Sequence, residues 1–186
     1  MQRKNGPWTI KGRVCKHRDD FIEVNEDKVI RPDGEEGAYA TVKLIRGVCT
    51  LAMDGDEVVY LTRQFRYAIE KESVEVVGGG IDEGEEVAEA AKRELQEELG
   101  LTAREWIELG EVSMDTGIIN GPVNLFLARG LDKTEAARDK NERIETVKVP
   151  FKQAVRMVMD GEIIHGASCV LILKADNFLI NSKSRT

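Results

Sequence analysis

The chain has 186 residues, 33% of them charged, and a formal net charge of −7. That length suits one α/β domain of moderate size with a small N-terminal addition. The diffuse negative charge argues against nucleic acid as a main partner, but leaves a phosphorylated substrate open because a bound cation inverts the local field. No apolar run approaches the ~18 residues of a membrane helix, and MQRKNGPW at the start carries no apolar signal core. The expectation is a soluble, cytoplasmic protein with no membrane partner. Cys15, Cys49 and Cys169 stand singly, each beside a valine, and read as buried thiols in strands of a protein kept in a reducing compartment.

In chain order, Trp8–Val14 and Asp20–Val29 read as short strands about a turn at 17–19, and Arg31-Pro32-Asp33-Gly34 is a turn signal. Tyr39–Ala52 is one long β-prone stretch with partial alternation. Asp54-Gly55 marks a hairpin whose second strand is Glu57–Tyr67. A strand at Ser73–Val77 leads into Gly78-Gly79-Gly80. Beyond residue 101, Trp106–Val112, Val123–Leu131 and Ile144–Val149 read as strands, 113–122 as a Gly- and Pro-containing loop, and 132–142 as a charged, exposed loop. Pro150 precedes a helix at Phe151–Met159 that Asp160-Gly161 ends. Gly166–Ala175 fits helix or strand by propensity alone. The last residues, 181–186, read as a tail.

The strongest pattern runs from Gly78 to Leu101, GGGIDEGEEVAEAAKRELQEELGL. Asp82 is an N-cap candidate with Glu85 three residues on, as in a capping box. Val87, Ala91, Leu95 and Leu99 space out as a buried stripe, and Gly100 falls at a C′ position. Glu94, Glu97 and Glu98 lie three and four apart, so their carboxylates share one side of the helix. Like charges so placed repel, and a hard divalent cation would offset the repulsion, because the set offers oxygens without sulfur or imidazole. Three successive glycines permit dihedrals and a backbone approach that side chains prevent. A solvated, salt-bridged helix would account for the charge but not for glycines at both ends.

This segment resembles the Nudix box, the signature of hydrolases that cleave nucleoside diphosphates linked to another group. Gly79 is followed after five residues by Glu85, then after seven by Arg93, Glu94 and Leu95, then by Glu97, Glu98, Gly100 and Leu101. The resemblance implies an α/β (α+β) Nudix fold: an α/β/α sandwich with a mixed central sheet, a helix at 166–175, and a small N-terminal antiparallel sheet like that of the ADP-ribose pyrophosphatase branch. It divides the chain into a β dimerisation region at 1–35, a catalytic domain at 36–180 and a tail, and implies a homodimer. The alternative for the first 35 residues is a plain extension of the main sheet.

The resemblance also assigns roles. Glu94 and Glu98 become principal ligands of Mg²⁺, or Mn²⁺, in one to three ions, with Glu97 as ligand or support and the Gly78 carbonyl as a further donor. Glu85 approaches metal, caps the helix or pairs with Arg93. Arg93, with its fixed donor fork, holds a glutamate in place rather than meeting substrate. The catalytic base is expected in the loop after the box, where Glu142 is the choice and Glu145 the alternative. Arg63-Gln64-Phe65-Arg66 matches a substrate-side segment, with Arg66 toward the diphosphate or ribose, or else paired with Glu70 or Glu72. Glu75 contacts a ribose or braces the glycine loop. Phe21, Trp8 or Tyr39 stacks on a base or belongs to the core. Gly117 is given a substrate-contact role only, in a substrate-side loop that often reads Ser-Pro-Gly in the family; here Thr116 replaces the proline, and Val77-Gly78 replaces a usual proline and alanine. His17 and His165 have no partner by spacing and read as structural or surface residues.

The expected activity is hydrolysis of ADP-ribose to AMP and ribose 5-phosphate. The alternatives are GDP-mannose or a broad range of sugar nucleotides, and, in another class, a catalytically silent nucleotide sensor on the same fold.

Overall fold

The computed structural model describes residues 2–136 and 143–183. In chain order the strands are β1 Arg3–Asn5, β2 Trp8–Arg18, β3 Ile22–Ile30, β4 Glu36–Leu44, β5 Gly47–Met53, β6 Val58–Arg66, β7 Lys71–Glu75 and β8 Val77–Gly80. Helix α1 (Val87–Leu99) is followed by β9 Leu101–Val112, β10 Ile119–Asn120, β11 Val123–Lys133 and β12 Glu145–Pro150, then by α2 (Phe151–Met159) and α3 (Gly166–Lys183). The chain divides into two compact units, one of residues 1–46 with 113–122, the other of 47–112 with 123–186.

The first unit is a five-stranded sheet in the order β1-β2-β3-β4-β10. Its first four strands are antiparallel, and β10 joins parallel to β4. β4 pairs with β3 along its whole length, Ile22 with Leu44 to Ile30 with Glu36. The N-terminal sheet therefore continues past residue 35 and recruits part of the expected 113–122 loop. The continuous β-prone stretch from Tyr39 is also two strands. β4 is partly exposed along its length, whereas β5 is buried from Val48 to Met53, the mark of a strand covered on both faces.

The second unit is built on a mixed seven-stranded sheet, β12-β6-β5-β11-β9, with β7 on β6 and β8 on β5. β5 and β11 run parallel while β9 and β12 pair antiparallel with their neighbours. Side chains alternate faces along each strand. Val48, Ala52, Phe126 and Ala128 face the clusters that contain Ala90, Ala91 and Leu95 of α1. Leu51, Met53, Leu125 and Leu127 face the cluster that contains Ala154 and Met157 of α2 and Leu171 and Ile172 of α3. Each fully buried leucine here contributes about 1.5–3 kcal/mol. The result, among the described residues, is the expected α/β/α arrangement, with α1 on one face of the sheet and α2 and α3 on the other.

Three local expectations are corrected. Asp82 does not cap α1: the helix begins at Val87, with Glu86 at the N-cap and no side-chain cap bond. Gly84, at φ 81°, turns the chain between them, and Asp82 and Glu85 close a turn instead, the Glu85 N–H on the Asp82 carbonyl and the Asp82 N–H on Glu85 Oε2, both at 3.0 Å. The cysteines are not uniformly buried in strands. Cys15 is exposed on β2, Cys49 is buried in β5, and Cys169 is half-buried in α3. Finally, α3 runs eight residues beyond the expected Ala175, to Lys183. No helix among the described residues is long and apolar enough to cross a membrane.

Candidate active site

α1 ends as its sequence requires. Gly100 adopts φ 61°, and its N–H bonds the Gln96 carbonyl at 2.9 Å. The helix turns Ala90, Ala91 and Leu95 onto the sheet and leaves Arg93 and its acidic neighbours toward the glycine strand β8. Arg93 is the hub. Its Nε and Nη2 each bond a Glu85 oxygen at 2.9 Å, Nη2 also reaches the Gly80 carbonyl at 2.9 Å, and Nη1 reaches Glu94 Oε1 at 2.7 Å and Glu97 Oε2 at 3.3 Å. These hydrogen bonds hold the Glu85 carboxyl below its ordinary range and raise the guanidinium still further. Glu85, Glu89, Lys92, Arg93, Gln96 and Glu97 border an open concavity of about 420 Å³.

The glycines are explained by close approach. A Cβ on Gly79 would collide with the carboxylate of Glu94, and one on Gly78 would come within 3.0 Å of Cys49 Sγ and the Val48 carbonyl. Glu94 is thus seated directly on the backbone of β8. Glu98 is buried, 6% exposed, on the same helix, while the Glu97 side chain is 40% exposed. Among the described residues no three His, Cys, Asp or Glu side chains are gathered as a ready-made metal cage. Glu94 and Glu97 are drawn instead onto one Arg93 nitrogen. The donors nevertheless suit a hard cation, being carboxylates backed by strand carbonyls.

Arg66 has a carboxylate partner on the neighbouring strand β7. It forms a two-pronged bond with Glu75, Nε to Oε1 at 3.0 Å and Nη2 to Oε2 at 2.5 Å. The Glu75 side chain is 4% exposed against 42% for Arg66. Burial pushes the Glu75 carboxyl up, but the Arg66 hydrogen bonds, with His165 and Ser73, outweigh it and leave it below the ordinary range. Arg63 sits across from Glu145 in the β6–β12 ladder, and their side chains form an exposed ion pair at 3.4 Å. Glu142 lies outside the described residues. In the other unit, Phe21 is 70% exposed, and Gly117 accepts the Tyr39 hydroxyl at 2.6 Å while its N–H bonds Asp115 Oδ1 at 3.0 Å. Trp8 and Tyr39 meet edge to face with centroids 5.2 Å apart.

Two histidines have partners that spacing did not reveal. His17 Nε2 lies 3.0 Å from Asp19 Oδ2. His165 Nδ1 lies 2.8 Å from Ser168 Oγ and 3.5 Å from Glu75 Oε2. A histidine three residues ahead of a serine at a helix start was the available signal for the second.

Residues 43–165 match the NUDIX domain family. The chain belongs to the Nudix family. This Nudix hydrolase is 30% identical to an ADP-ribose pyrophosphatase of Bacillus subtilis over 144 residues, 76% of this chain and 78% of that one. It is 33% identical to a GDP-mannose pyrophosphatase of Klebsiella pneumoniae over 125 residues, 62% of this chain and 63% of that one. Among solved structures, an ADP compounds hydrolase aligns with a TM-score of 0.84 at 21% identity, covering 97% of this chain and 98% of its own, which shows the shared fold. The Nudix sequence likeness places the chain beside the ADP-ribose pyrophosphatase branch.

Proposed function

We propose that this Nudix hydrolase cleaves the diphosphate of ADP-ribose or a related nucleoside diphosphate sugar in the presence of Mg²⁺, with Mn²⁺ as a substitute. The observation that carries this reading is the Arg93-centred set of glutamates seated on the glycine strand, with Glu94 against Gly79. Glu94 and Glu98 are the residues that would hold the cation, with Glu97 and the Gly78 carbonyl in support. When bound, the cation supplies neutralisation of the diphosphate oxygens and a more acidic water. Arg93 orients Glu94 and Glu97 through one nitrogen and keeps Glu85 tied to the turn before α1. Arg66, half-exposed and held in orientation by Glu75, would meet a phosphate oxygen of the substrate. Glu142 takes the proton of the attacking water, with Glu145 as the alternative. Water adds to one phosphorus, the bridging P–O bond breaks, and a nucleoside monophosphate and a sugar phosphate leave.

The alternative substrate, GDP-mannose or a broad set of sugar nucleotides, is favoured by the 33% identity to a GDP-mannose pyrophosphatase and by Val77, Gly78 and Thr116, which depart from the usual ADP-ribose pyrophosphatase pattern. A panel of ADP-ribose, GDP-mannose, other sugar nucleotides and NADH, each with Mg²⁺ and assayed for phosphomonoester release, tests both. ADP-ribose is expected to turn over fastest, and no turnover of any linked diphosphate would refute the reading. The exposed Val14, Phe21, Met114 and Ile118 of the first unit support a homodimer. Sedimentation over a hundredfold range of concentration is expected to show it, and a monomer throughout would end that proposal.

A further inference from the structure

Between β7 and β8 the chain changes neighbours. β7 pairs with β6 and β8 with β5, and Val76 is the one residue between them. Val76 is 2% exposed, so its N–H cannot turn to water. A buried N–H left without an acceptor is strongly unfavourable. It donates to Ser168 Oγ at 3.0 Å, a side chain of the first turn of α3 that is completely buried. Ser168 also meets His165 Nδ1 at 2.8 Å. The Glu75 carboxylate 3.5 Å from the same nitrogen favours a proton on Nδ1. In that arrangement His165 donates, and the serine oxygen, with two lone pairs, accepts from both His165 and Val76. Glu75 in turn holds Arg66.

We propose that Ser168 and His165 are positioning residues for the glycine strand, acting on the α1 side of the sheet from the α3 side. The proposal rests on the functional reading above, which makes Gly78–Gly80 part of the site. Val76 is two residues from Gly78 and three from Gly79, where the backbone lies too close to the Glu94 carboxylate to admit a methyl group. Gly80, one residue further, gives its carbonyl to Arg93. β8 has only four residues and is held to β5 on one edge, so the bond at Val76 fixes where it starts. A displacement there passes to Glu94 and Arg93 because no slack separates them from the strand. His165 adds a second arm, since it touches the carboxylate that orients Arg66.

The test combines amide hydrogen exchange, Mn²⁺ binding followed by electron paramagnetic resonance without substrate, and steady-state kinetics on ADP-ribose with Mg²⁺. Ser168→Ala is expected to speed exchange across 76–80, and to weaken Mn²⁺ binding and lower kcat each by about tenfold, the low end for groups that support metal-holding side chains from behind. KM is expected to stay within about twofold, as for an interaction felt in the transition state more than in substrate binding. His165→Ala should move the same quantities less, and His165→Asn, whose amide can meet the serine oxygen, should recover at least half of that loss. Faster exchange at Val76 alone, with Mn²⁺ binding and kcat unchanged, would overturn the proposal, as would no change in exchange. If Ser168→Ala does not fold, equal behaviour of His165→Ala and His165→Asn would overturn it, and recovery by asparagine would support it. If the unaltered protein hydrolyses no linked diphosphate, the functional reading fails, and exchange and Mn²⁺ binding still decide the role of the pair.

Discussion

One guanidinium does the work of several contacts at the centre of this site. Arg93 bonds Glu85, Glu94, Glu97 and the Gly80 carbonyl at once, which only a planar fork with five N–H donors can do. Lysine carries three donors on one point and cannot span them. Arg93→Lys is therefore expected to lower kcat by at least about tenfold, as when a supporting contact behind metal-holding groups is lost; steady-state kinetics with a melting curve as fold control measures it. Gly79→Ala isolates the other half of the geometry. Its Cβ would strike the Glu94 carboxylate, the movable end of a side chain, and not backbone. The fold should survive while Mn²⁺ affinity drops, which a binding titration reads directly. The contacts of Arg93 with its glutamates were legible in the sequence, because Glu94 and Glu97 follow it by one and four residues on one helix. Glu75 as the partner of Arg66 was not, because strand pairing rather than spacing brings β7 beside β6. The Ser168 bond spans 92 residues and depends on how α3 lies against the sheet, information that no local pattern contains.

Among the elements, those whose boundaries depend on local chemistry were the most legible. α2 occupies Phe151–Met159, opened by Pro150 and closed at Asp160-Gly161, and α1 ends at Gly100 as a left-handed cap demands. Gly100 is also close-packed, since a Cβ there would lie 2.9 Å from Ala136 N and the Thr134 carbonyl. Gly100→Ala thus combines left-handed strain with backbone crowding and is expected to cost more than the ~1 kcal/mol of strain alone, checked by chemical denaturation. The start of α1 was misread because Gly84 turns the chain before the helix begins, and the β4–β5 break because apolar residues on both sides hide a change of sheet. In the N-terminal sheet, Asp27 is 4% exposed and takes two bonds from Arg13, at 2.7 and 2.8 Å. The Arg13 hydrogen bonds lower its pKa, with burial opposing. A lowered carboxyl adds stability that is full above the unfolded value of about 3.9 and vanishes as pH falls through the folded one. Asp27→Asn is accordingly expected to destabilise the protein by about 2 kcal/mol at neutral pH. The gap from the unaltered protein should begin to narrow only below about pH 4 and shrink further as pH falls, as thermal melts at neutral pH and at a series of acidic pH values would show.

For the molecule as a whole, the acidic balance and the functional site make the same demand. With 34 acidic against 27 basic side chains, the protein carries self-repulsion that a bound divalent cation reduces. Arg93 can neutralise only part of the charge of Glu85, Glu94 and Glu97, and Glu98 is buried on the same helix. A cation held there binds the folded chain and not the unfolded one, so stability should rise with its concentration as RT ln(1 + [L]/Kd), about 2.7 kcal/mol at a hundred times Kd. For a chain of this size that corresponds to an increase of about 5–10 °C in melting temperature. Mg²⁺ and Mn²⁺ are expected to produce it and Na⁺ at matched ionic strength is not, because screening alone acts on all exposed charges alike. Glu94→Gln and Glu98→Gln should each flatten the response to Mg²⁺ and abolish most turnover while leaving the metal-free melting temperature close to its original value or higher, since each removes one negative charge from a crowded face. A cation-dependent rise that persisted unchanged in both variants would locate the stabilising ion elsewhere on the acidic surface and separate it from hydrolysis.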